Sequence, residues 1–345
     1  MDVRTIKSHV VATNLKVDGV VRLDQSRSPL VSVIVPAYDV TEFIGEALDS
    51  VLAQTFPDYE IIVVNDGSPD TEALERALAP YMSRIVYIKQ ENRGVSAARN
   101  TAIQAARGSL LAFLDADDTW LPNYLEVQVA RIQADPTIDV LYPNVMMFGG
   151  ASEAGEEFMT SCPSSGEVTF ERLISQECNV SNCSIARRET IIRTGLFDES
   201  LRSCEDFELW LRVIKQGGRI AYHRDILARY RRRHGSLTAD PIGLARNVVR
   251  VVEQVKQTME LTPSERAAVD LHQQRYNALL SFHEGKRAFF SGDTAGAIHQ
   301  LTEANRFLRN RKISITLLIL RIAPRLLLRA YDLRDRLYFR MITKY

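Results

Sequence analysis

Short apolar runs alternate with stretches of helical spacing through the first third of the chain. Four mainly apolar runs, rich in β-branched residues, have the character of strands in a parallel sheet, and they cover residues 30–36, 59–64, 84–89 and 110–114. Between them, apolar residues recur three and four positions apart, which predicts helices near 43–52, 71–82 and 96–106. This order predicts an α/β fold with a Rossmann-like, mostly parallel sheet flanked by helices.

The pattern becomes less regular after about residue 136. Short apolar runs predict strands over 139–142 and 182–185, and a helix is expected to open at Glu205. From about residue 243 the spacing is almost wholly helical, and residues 285–307 are typical of one helical hairpin. We therefore divide the chain into an N-terminal extension over 1–29, a main domain over 30–240 and a helical C-terminal region over 241–345.

Two local signals predict where helices begin and end. Asp39 and Glu42 stand three apart, ahead of the first helical stretch, which is the spacing of a capping box. Gly108 follows the third helical stretch, and glycine commonly ends a helix because it adopts the left-handed conformation freely. We expect Asp39 to cap the first helix and Gly108 to close the third.

Three carboxylates, those of Asp115, Asp117 and Asp118, follow the strand at 110–114 directly. Burying such a cluster unpaired is costly, so we expect it at the C-terminal edge of the strand, where open α/β sheets bind ligands. Asp115 and Asp117 can face the same way and share a hard divalent cation with a diphosphate. The alternative is an acidic turn in which Asp118 or Thr119 caps a helix.

Polar side chains also follow the other three predicted strands. Tyr38, Asp66 and Asn92 stand at or just beyond the ends of the first, second and third strand. Because the carboxyl ends of parallel strands meet at one edge of a sheet, these residues should lie near the aspartates. The sequence therefore predicts one ligand site at this edge.

Composition narrows the class of protein. The 345 residues carry 43 Lys and Arg against 43 Asp and Glu, so no overall field favours nucleic acid, and no nucleic-acid partner is expected. The four cysteines show no CxxC pairing and no zinc-finger spacing with histidine, which is typical of reduced thiols in a cytosolic protein. No signal peptide is apparent, and the uncharged run at 313–320 is too short to span a bilayer. We expect a cytoplasmic globular protein.

Five ordered motifs resemble those of the family 2 glycosyltransferases, which have the GT-A fold. They are residues 33–38, 65–68, 92–100, 113–118 and 205–206. The resemblance covers about residues 30–240 and implies transfer of a sugar, with inversion, from a nucleotide-diphosphate sugar to a hydroxyl acceptor. It favours a UDP-sugar donor, and a sugar or lipid-linked glycan acceptor in cell-surface polysaccharide or glycolipid synthesis.

The resemblance also implies roles for single residues. The donor-binding residues would be Pro36, Ala37, Tyr38, Asp66, Asn92, Arg99, Asp115, Asp117 and Arg233. The first three would line the base pocket, while Asp66, Asn92 and Arg99 would face the base. Asp115 would hold either the ribose or the metal, and Asp117 would hold the metal, Mn²⁺ or Mg²⁺, on the diphosphate. His234 would complete the metal shell. Without the resemblance, the basic segment around Arg233 and His234 is equally a solvated turn.

The pair Glu205–Asp206 would supply the catalytic residues. Asp206 would take the proton of the acceptor hydroxyl as a general base, and Glu205 would bind the acceptor or tune its neighbour. On residues alone, two acids in a first helical turn also suit the helix dipole. The chain departs from the family at Asp39, where asparagine is usual, and at Leu196, where the second of two glycines is usual.

Two other classes of function fit parts of this pattern. A nucleotidyltransferase shares such nucleotide-binding sheets, but it usually has a Gly-rich, basic loop after the first strand, and residues 36–39 lack one. A degenerate transferase kept as a binding or scaffold module is the second alternative. The presence of both Asp115 and Asp117, and of the acidic pair, favours an active enzyme.

The C-terminal segment has a different charge from the rest of the chain. Residues 306–345 contain eleven Lys and Arg against Asp332 and Asp335. Five arginines follow steps of four and seven, which places them on one helical stripe: Arg321, Arg325, Arg329, Arg336 and Arg340. Such a segment suits an anionic membrane surface, which predicts a peripheral protein on the inner face of the plasma membrane. The alternative is that its apolar face packs on the main domain or on a second subunit of a homodimer.

Overall fold

The computed structural model describes residues 28–149, 155–233 and 240–324. Nearly all of the N-terminal extension, His234 and the chain beyond 324 therefore lie outside the described residues. The predictions for His234 and for the arginine stripe beyond Arg321 stay predictions.

The first third of the chain has the predicted alternation of strands and helices. The elements are β1 (Val31–Ala37), α1 (Ile44–Leu52), β2 (Tyr59–Asp66), α2 (Thr71–Leu78), β3 (Val86–Gln90), α3 (Val95–Ala105) and β4 (Leu110–Phe113). β1 pairs in parallel with both β2 and β4, and β2 pairs in parallel with β3. The predicted α/β fold is confirmed in this part of the chain.

The following segment extends the sheet and makes it mixed. It contains β5 (Thr119–Trp120), α4 (Tyr124–Ala134), β6 (Val140–Phe148), α5 (Phe158–Ser161), α6 (Phe170–Ile174), β7 (Ile185–Arg187), α7 (Arg188–Thr194), α8 (Glu205–Lys215) and β8 (Ile220–Arg231). Within the described residues, the sheet has eight strands in the order β3-β2-β1-β4-β7-β6-β8-β5. β7 runs antiparallel to β4 and β6, and β5 runs antiparallel to β8. The result is a mostly parallel sheet flanked by helices.

Alternating side chains of the central strands fill two cores. Val33 and Val35 of β1 belong to the hydrophobic cluster on one face, and Ile34 belongs to the cluster on the other. All three are fully buried, which explains why this strand is apolar at consecutive positions. A sheet covered on both faces leaves its strand ends as the natural place for a polar site.

As far as residue 324, where the description ends, four helices follow the sheet: α9 (Pro241–Thr258), α10 (Pro263–Phe290), α11 (Thr294–Leu308) and α12 (Arg311–Ile322). Buried residues of α9 and the start of α10, including Val251, Val252 and Val269, join the cluster that covers one face of the sheet. The end of α10 packs with α11 and α12 in a separate small cluster. In the described part of the chain, no helix combines the length and apolarity needed to cross a bilayer.

Three local predictions are wrong for physical reasons. The helix α1 begins at Ile44 without a side-chain cap, while Asp39 has φ 52° and donates its backbone N–H to Ser68 Oγ at 3.3 Å. Gly108 does not end α3; instead, a Cβ there would lie 2.7 Å from the backbone nitrogen of Ser32, so glycine allows the close approach to β1. Thr119 lies in β5, and neither it nor Asp118 caps a helix.

Candidate active site

The loops that follow β1, β2, β3 and β4 lie at one edge of the sheet. Ala37 at the end of β1 stands beside Asn65, and Asp66 at the end of β2 stands beside Gln90. Tyr38 is 48% exposed immediately beyond β1, so its ring is available at this edge. A Cβ on Gly67 would lie 2.7 Å from the nitrogen of Asn92, which shows how closely the second and third loops meet.

Asp66 is buried and holds the loop that leads into α3. Its carboxylate accepts hydrogen bonds from the backbone N–H groups of Arg93 at 3.0 Å and Gly94 at 2.8 Å. The amide of Gln90 donates a third bond, at 2.7 Å. The carboxylate therefore fixes the loop that carries Asn92, and its predicted contact with a nucleobase remains a prediction.

Asp115 lies between two donors that come from distant parts of the chain. Its Oδ1 accepts from Arg99 Nη2 at 2.7 Å, and its Oδ2 accepts from Asn182 Nδ2 at 2.8 Å. The same Asn182 nitrogen donates to Asp118 Oδ2 at 2.8 Å. Asn182 reaches this position because β7, which it precedes, pairs with β4. Its role is absent from the sequence motifs, since only sheet pairing brings it here.

Burial and neighbouring negative charges disfavour the ionised forms of Asp117 and Asp118. Burial, followed by the charge of Asp115, raises the pKa of Asp117, and Arg233 opposes the rise from 2.7 Å. Burial, with the charges of Asp115 and Asp117, raises the pKa of Asp118 well above its ordinary value. A cation near Asp115 and Asp117 would reduce this repulsion, and carboxylate oxygens are ligands that hard divalent cations prefer.

Arg231, the last residue of β8, contacts this cluster, and Arg233 follows just beyond the strand. Arg231 Nε donates to the backbone oxygen of Asp117 at 2.8 Å, and the Arg231 N–H donates to Asp118 Oδ1 at 2.7 Å. The Arg231 guanidinium lies 4.9 Å from the ring centre of Phe43 and 4.3 Å from that of Phe148. These contacts order the strand end that leads to Arg233 and beyond.

Glu205 and Asp206 form the first turn of α8. Glu205 is buried and ion-paired with Arg99, whereas Asp206 is partly exposed and accepts the Phe207 N–H at 2.7 Å. Partial loss of solvation at this half-buried carboxyl, followed by the charge of Glu205, raises the pKa of Asp206 to about 6, against the opposing charge of Arg99. A carboxyl with this pKa is suited to accept a proton near neutral pH.

Arg99 connects the two halves of the site. It is only 5% exposed, and its guanidinium lies 5.3 Å from the ring centre of Phe197. One arm donates to Asp115 and the other to Glu205, so the aspartate cluster and the acidic pair share one buried cation. Its predicted contact with the base stays a prediction.

No group of three or more His, Cys, Asp or Glu in the described ranges is placed to hold a metal by itself. The proposed third protein ligand, His234, falls outside those ranges. Asp115 and Asp117 are therefore two candidate ligands, and other ligands would have to come from the diphosphate, from water or from His234.

The chain matches the family model "Glycosyl transferase family 2" over residues 32–191. An uncharacterized glycosyltransferase of Methanocaldococcus jannaschii is 30% identical over 59% of this chain and 71% of its own length. The Escherichia coli UDP-Glc:alpha-D-GlcNAc-diphosphoundecaprenol beta-1,3-glucosyltransferase WfgD is 29% identical over 61% of this chain and 80% of its own. A Rickettsia felis relative is 31% identical over 54% of this chain, but the match spans only 32% of that longer protein.

Solved structures share the fold. The Staphylococcus aureus TarS fragment 1–349 in complex with UDP-GlcNAc has a TM-score of 0.58 and 21% identity, over 84% of this chain and 87% of the fragment. The mannosyltransferase PcManGT of Pyrobaculum calidifontis, in complex with GDP-Man and Mn²⁺, has a TM-score of 0.57 and 20% identity, over 89% and 88%. The family model and the relatives show the family, and the solved structures show the fold. The chain therefore belongs to glycosyltransferase family 2, with the GT-A fold.

Proposed function

We propose that the protein is an inverting glycosyltransferase that moves a sugar from a nucleotide-diphosphate sugar to a hydroxyl acceptor. The observation that carries the proposal is the link through Arg99 between the aspartate cluster at the end of β4 and the acidic pair at the start of α8. A donor held at Asp115 would place its sugar beside a carboxyl able to accept a proton. Membership of the family supports the same reaction class.

The donor would lie across the strand ends. Pro36, Ala37 and Tyr38 would line the base pocket, with Asp66, Asn92 and Arg99 around it. Asp115, Asp117 and Arg233 would then face the ribose and diphosphate. We favour a UDP-sugar, because WfgD is a UDP-Glc enzyme by name and TarS is found with UDP-GlcNAc. The PcManGT complex contains GDP-Man, so a GDP-sugar is the alternative donor.

Asp206 would act as the general base. As the acceptor oxygen attacks the anomeric carbon, its proton passes to the Asp206 carboxylate and the bond to the diphosphate breaks. The electron pair of that bond leaves with the nucleotide diphosphate, and attack from the opposite side inverts the anomeric carbon. A positioned base typically contributes about 10²–10⁴-fold. Glu205, already paired with Arg99, would set the position and the pKa of Asp206.

The aspartate cluster fits a divalent metal. Mn²⁺ or Mg²⁺ bound by Asp115, Asp117 and His234 would supply Lewis-acid stabilisation of the charge on the leaving diphosphate. The raised pKa of Asp117, caused by burial and by Asp115, supports a cation at this point. Arg233 would add a further positive charge near the phosphates, since it already contacts Asp117.

We further propose a lipid-linked glycan acceptor in cell-surface polysaccharide or glycolipid synthesis. WfgD acts by name on a sugar carried by diphosphoundecaprenol, and this relative aligns over most of its length. Such an acceptor would place the protein at the cytoplasmic face of a membrane.

A ligand panel tests the proposed donor. We expect one class among UDP-, GDP- and dTDP-sugars, with Mn²⁺ present, to raise the melting temperature, and we expect it to be the UDP class. A ligand at about 100 times its dissociation constant stabilises a protein by roughly 2.7 kcal/mol. Hydrolysis of the stabilising donor would separate an enzyme from a binding or scaffold module. Absence of stabilisation by every donor would contradict the proposal.

Replacing Asp117 with Ala tests the metal site. We expect metal-dependent donor affinity to fall about 10–100-fold or more, because even outer-shell partners of metal ligands have effects of that size. Calorimetric titration of the donor with and without Mn²⁺ measures this directly, without relying on turnover. Asp225→Ala is a matched control, because Asp225 is exposed and pairs with Arg131 rather than with the cluster. Wild-type, metal-dependent affinity in Asp117→Ala would reject Asp117 as a ligand.

A further inference from the structure

The helix α12 has two apolar faces on opposite sides. Ile313, Leu317 and Leu320 are buried in the small cluster with α10 and α11. Ile315, Leu318 and Ile322 are 58%, 59% and 75% exposed. At 3.6 residues per turn the second set forms a single stripe, about half a turn away from the first.

This stripe is a concentrated patch. The described residues include seven exposed large hydrophobic side chains, and three of them are these neighbours on one short helix. Single exposed apolar residues are ordinary, but a contiguous set marks a surface that binds something. We therefore expect a binding partner to cover this stripe.

The surroundings of the stripe are strongly basic. Arg306, Arg309, Arg311, Lys312 and Arg321 are all exposed at the end of α11 and at the two ends of α12. The sequence contains no Asp or Glu from residue 304 to residue 331, and six further Lys and Arg follow Pro324. An anionic surface is the complementary partner, and each nearby cation contributes about 1 kcal/mol at such a surface.

An apolar groove runs along the other side of α12. It has a volume of about 710 Å³ and lies between α10, α11 and α12, with Phe282, Leu308 and Ile313 among its lining residues. Lys286 and Lys312 also line it, and the Lys286 ammonium lies 5.7 Å from the ring centre of Phe282. Lys286 therefore adds a further exposed cation beside α12.

We propose that α12 docks on an anionic phospholipid bilayer, with its axis in the plane of the membrane surface. The stripe of Ile315, Leu318 and Ile322 enters the boundary between headgroups and acyl chains, and the basic residues at both helix ends contact lipid phosphates. This proposal depends on the residues of α12 and not on which acceptor the protein uses. Docking on the bilayer would bring the protein close to a lipid-linked acceptor.

Two other occupants fit the observations less well. A helix of 12 residues is about 18 Å long, which is too short to cross a hydrocarbon core of about 30 Å. A second copy would bring two equally basic surfaces together, and one short helical stripe is small beside the roughly 800 Å² per partner of a stable interface. Charge and size therefore favour the lipid surface.

Vesicle sedimentation with the full chain tests the proposal. We expect binding to vesicles of equal parts phosphatidylcholine and phosphatidylglycerol, weakened by salt, and little binding to phosphatidylcholine alone. The variant Ile315→Ser/Leu318→Ser/Ile322→Ser should bind the anionic vesicles at least about ten-fold more weakly. The control Ile192→Ser/Leu271→Ser replaces exposed apolar residues elsewhere and should bind like the wild type.

Three results would overturn the proposal. They are equal binding of the triple variant and the wild type, equal binding to neutral and anionic vesicles, and a dimer in solution that the triple substitution dissociates without any vesicle binding. Circular dichroism and donor hydrolysis should be unchanged in the triple variant, because these side chains are exposed and α12 packs in the separate small cluster with α10 and α11. A wild type that binds vesicles but not donors would instead contradict the proposed glycosyl transfer alone.

Discussion

Replacing Asp206 with Asn should lower turnover by about 10²–10⁴-fold while donor affinity stays within a few-fold of the wild type. The amide is nearly isosteric with the carboxylate and still has an oxygen to accept the Phe207 N–H, but it cannot take a proton from the acceptor. Calorimetric titration of the donor and single-turnover transfer measure the two quantities separately. A loss of donor affinity equal to the loss of turnover would indicate a binding role instead.

The neighbouring acid provides the comparison. Glu205→Gln removes one carboxylate partner of the buried Arg99, so we expect it to lower stability, which Asp206→Asn should not do at neutral or alkaline pH. It should retain more turnover, because Asp206 remains able to act. If Glu205→Gln is the inactive variant and Asp206→Asn is active, the base is Glu205.

The raised pKa of Asp206 gives a test by pH. The base works only when it is ionised, so transfer should increase as pH rises through about 6 and then level off. Stability should change in the opposite direction. Because the folded-state pKa lies above the ordinary value, the folded protein holds this proton more tightly, and stability is lost as pH rises towards about 6. Asp206→Asn should therefore raise the melting temperature relative to the wild type at pH 8 and much less at pH 4.

The central sheet could be predicted because its strands are buried on both faces. In β1, Ile34 packs in the hydrophobic cluster on one face of the sheet, and Val33 and Val35 pack in the cluster on the other. Because both faces are buried, these consecutive positions are all apolar, which makes the strand easy to recognise in the sequence. The parallel order then places every strand end at one edge. Fold class and the position of the candidate site followed from these two facts. The mixed half of the sheet was harder, because β5 and β7 contain only two and three residues.

The contacts that organise the site could not be predicted. Asn182 bonds to Asp115 across 67 positions, Arg231 to Asp118 across 113, and Arg99 to Glu205 across 106. Such contacts follow from strand pairing and from the packing of α8, and they leave no periodic pattern in the sequence. The motifs indicate the acids of the site, and Arg99 and Arg233 as donor-binding residues. They do not indicate Asn182, or the ion pairs that Arg99 makes with Asp115 and Glu205.

At both positions where the chain departs from the family pattern, the backbone adopts the left-handed conformation. Asp39 and Leu196 have φ values of 52° and 65°, in the left-handed region that asparagine and glycine tolerate best. In the sequence, Asp39 predicts a helix cap, because aspartate favours helix N-termini as well as the left-handed region. Leu196 is held in its conformation by Arg212, whose side chain donates to the carbonyl oxygens of Thr194 and Leu196 at 2.7 Å.

Arg99 is the site residue whose loss we expect to lower stability strongly. Its guanidinium is buried and serves a carboxylate from the β4 end and another from the first turn of α8. Asp117, Asp118 and Asp206 lie in the same region and already have raised pKa values. Removing the cation would leave the carboxylates of Asp115 and Glu205 without the arginine that they share.

We therefore expect Arg99→Met to lower the free energy of unfolding by about 3–5 kcal/mol at neutral pH, the usual effect of removing one partner of a buried ion pair. Arg99→Lys should have a smaller effect, because it keeps the charge and loses only the fork that serves two partners. Urea unfolding at pH 8 measures both. Arg99 also lowers the pKa of Asp206, so in any Arg99→Met protein that remains folded the acid limb of the pH–rate profile should move above about pH 6. An unchanged free energy of unfolding together with an unchanged limb would show that Arg99 does not couple the two halves of the site.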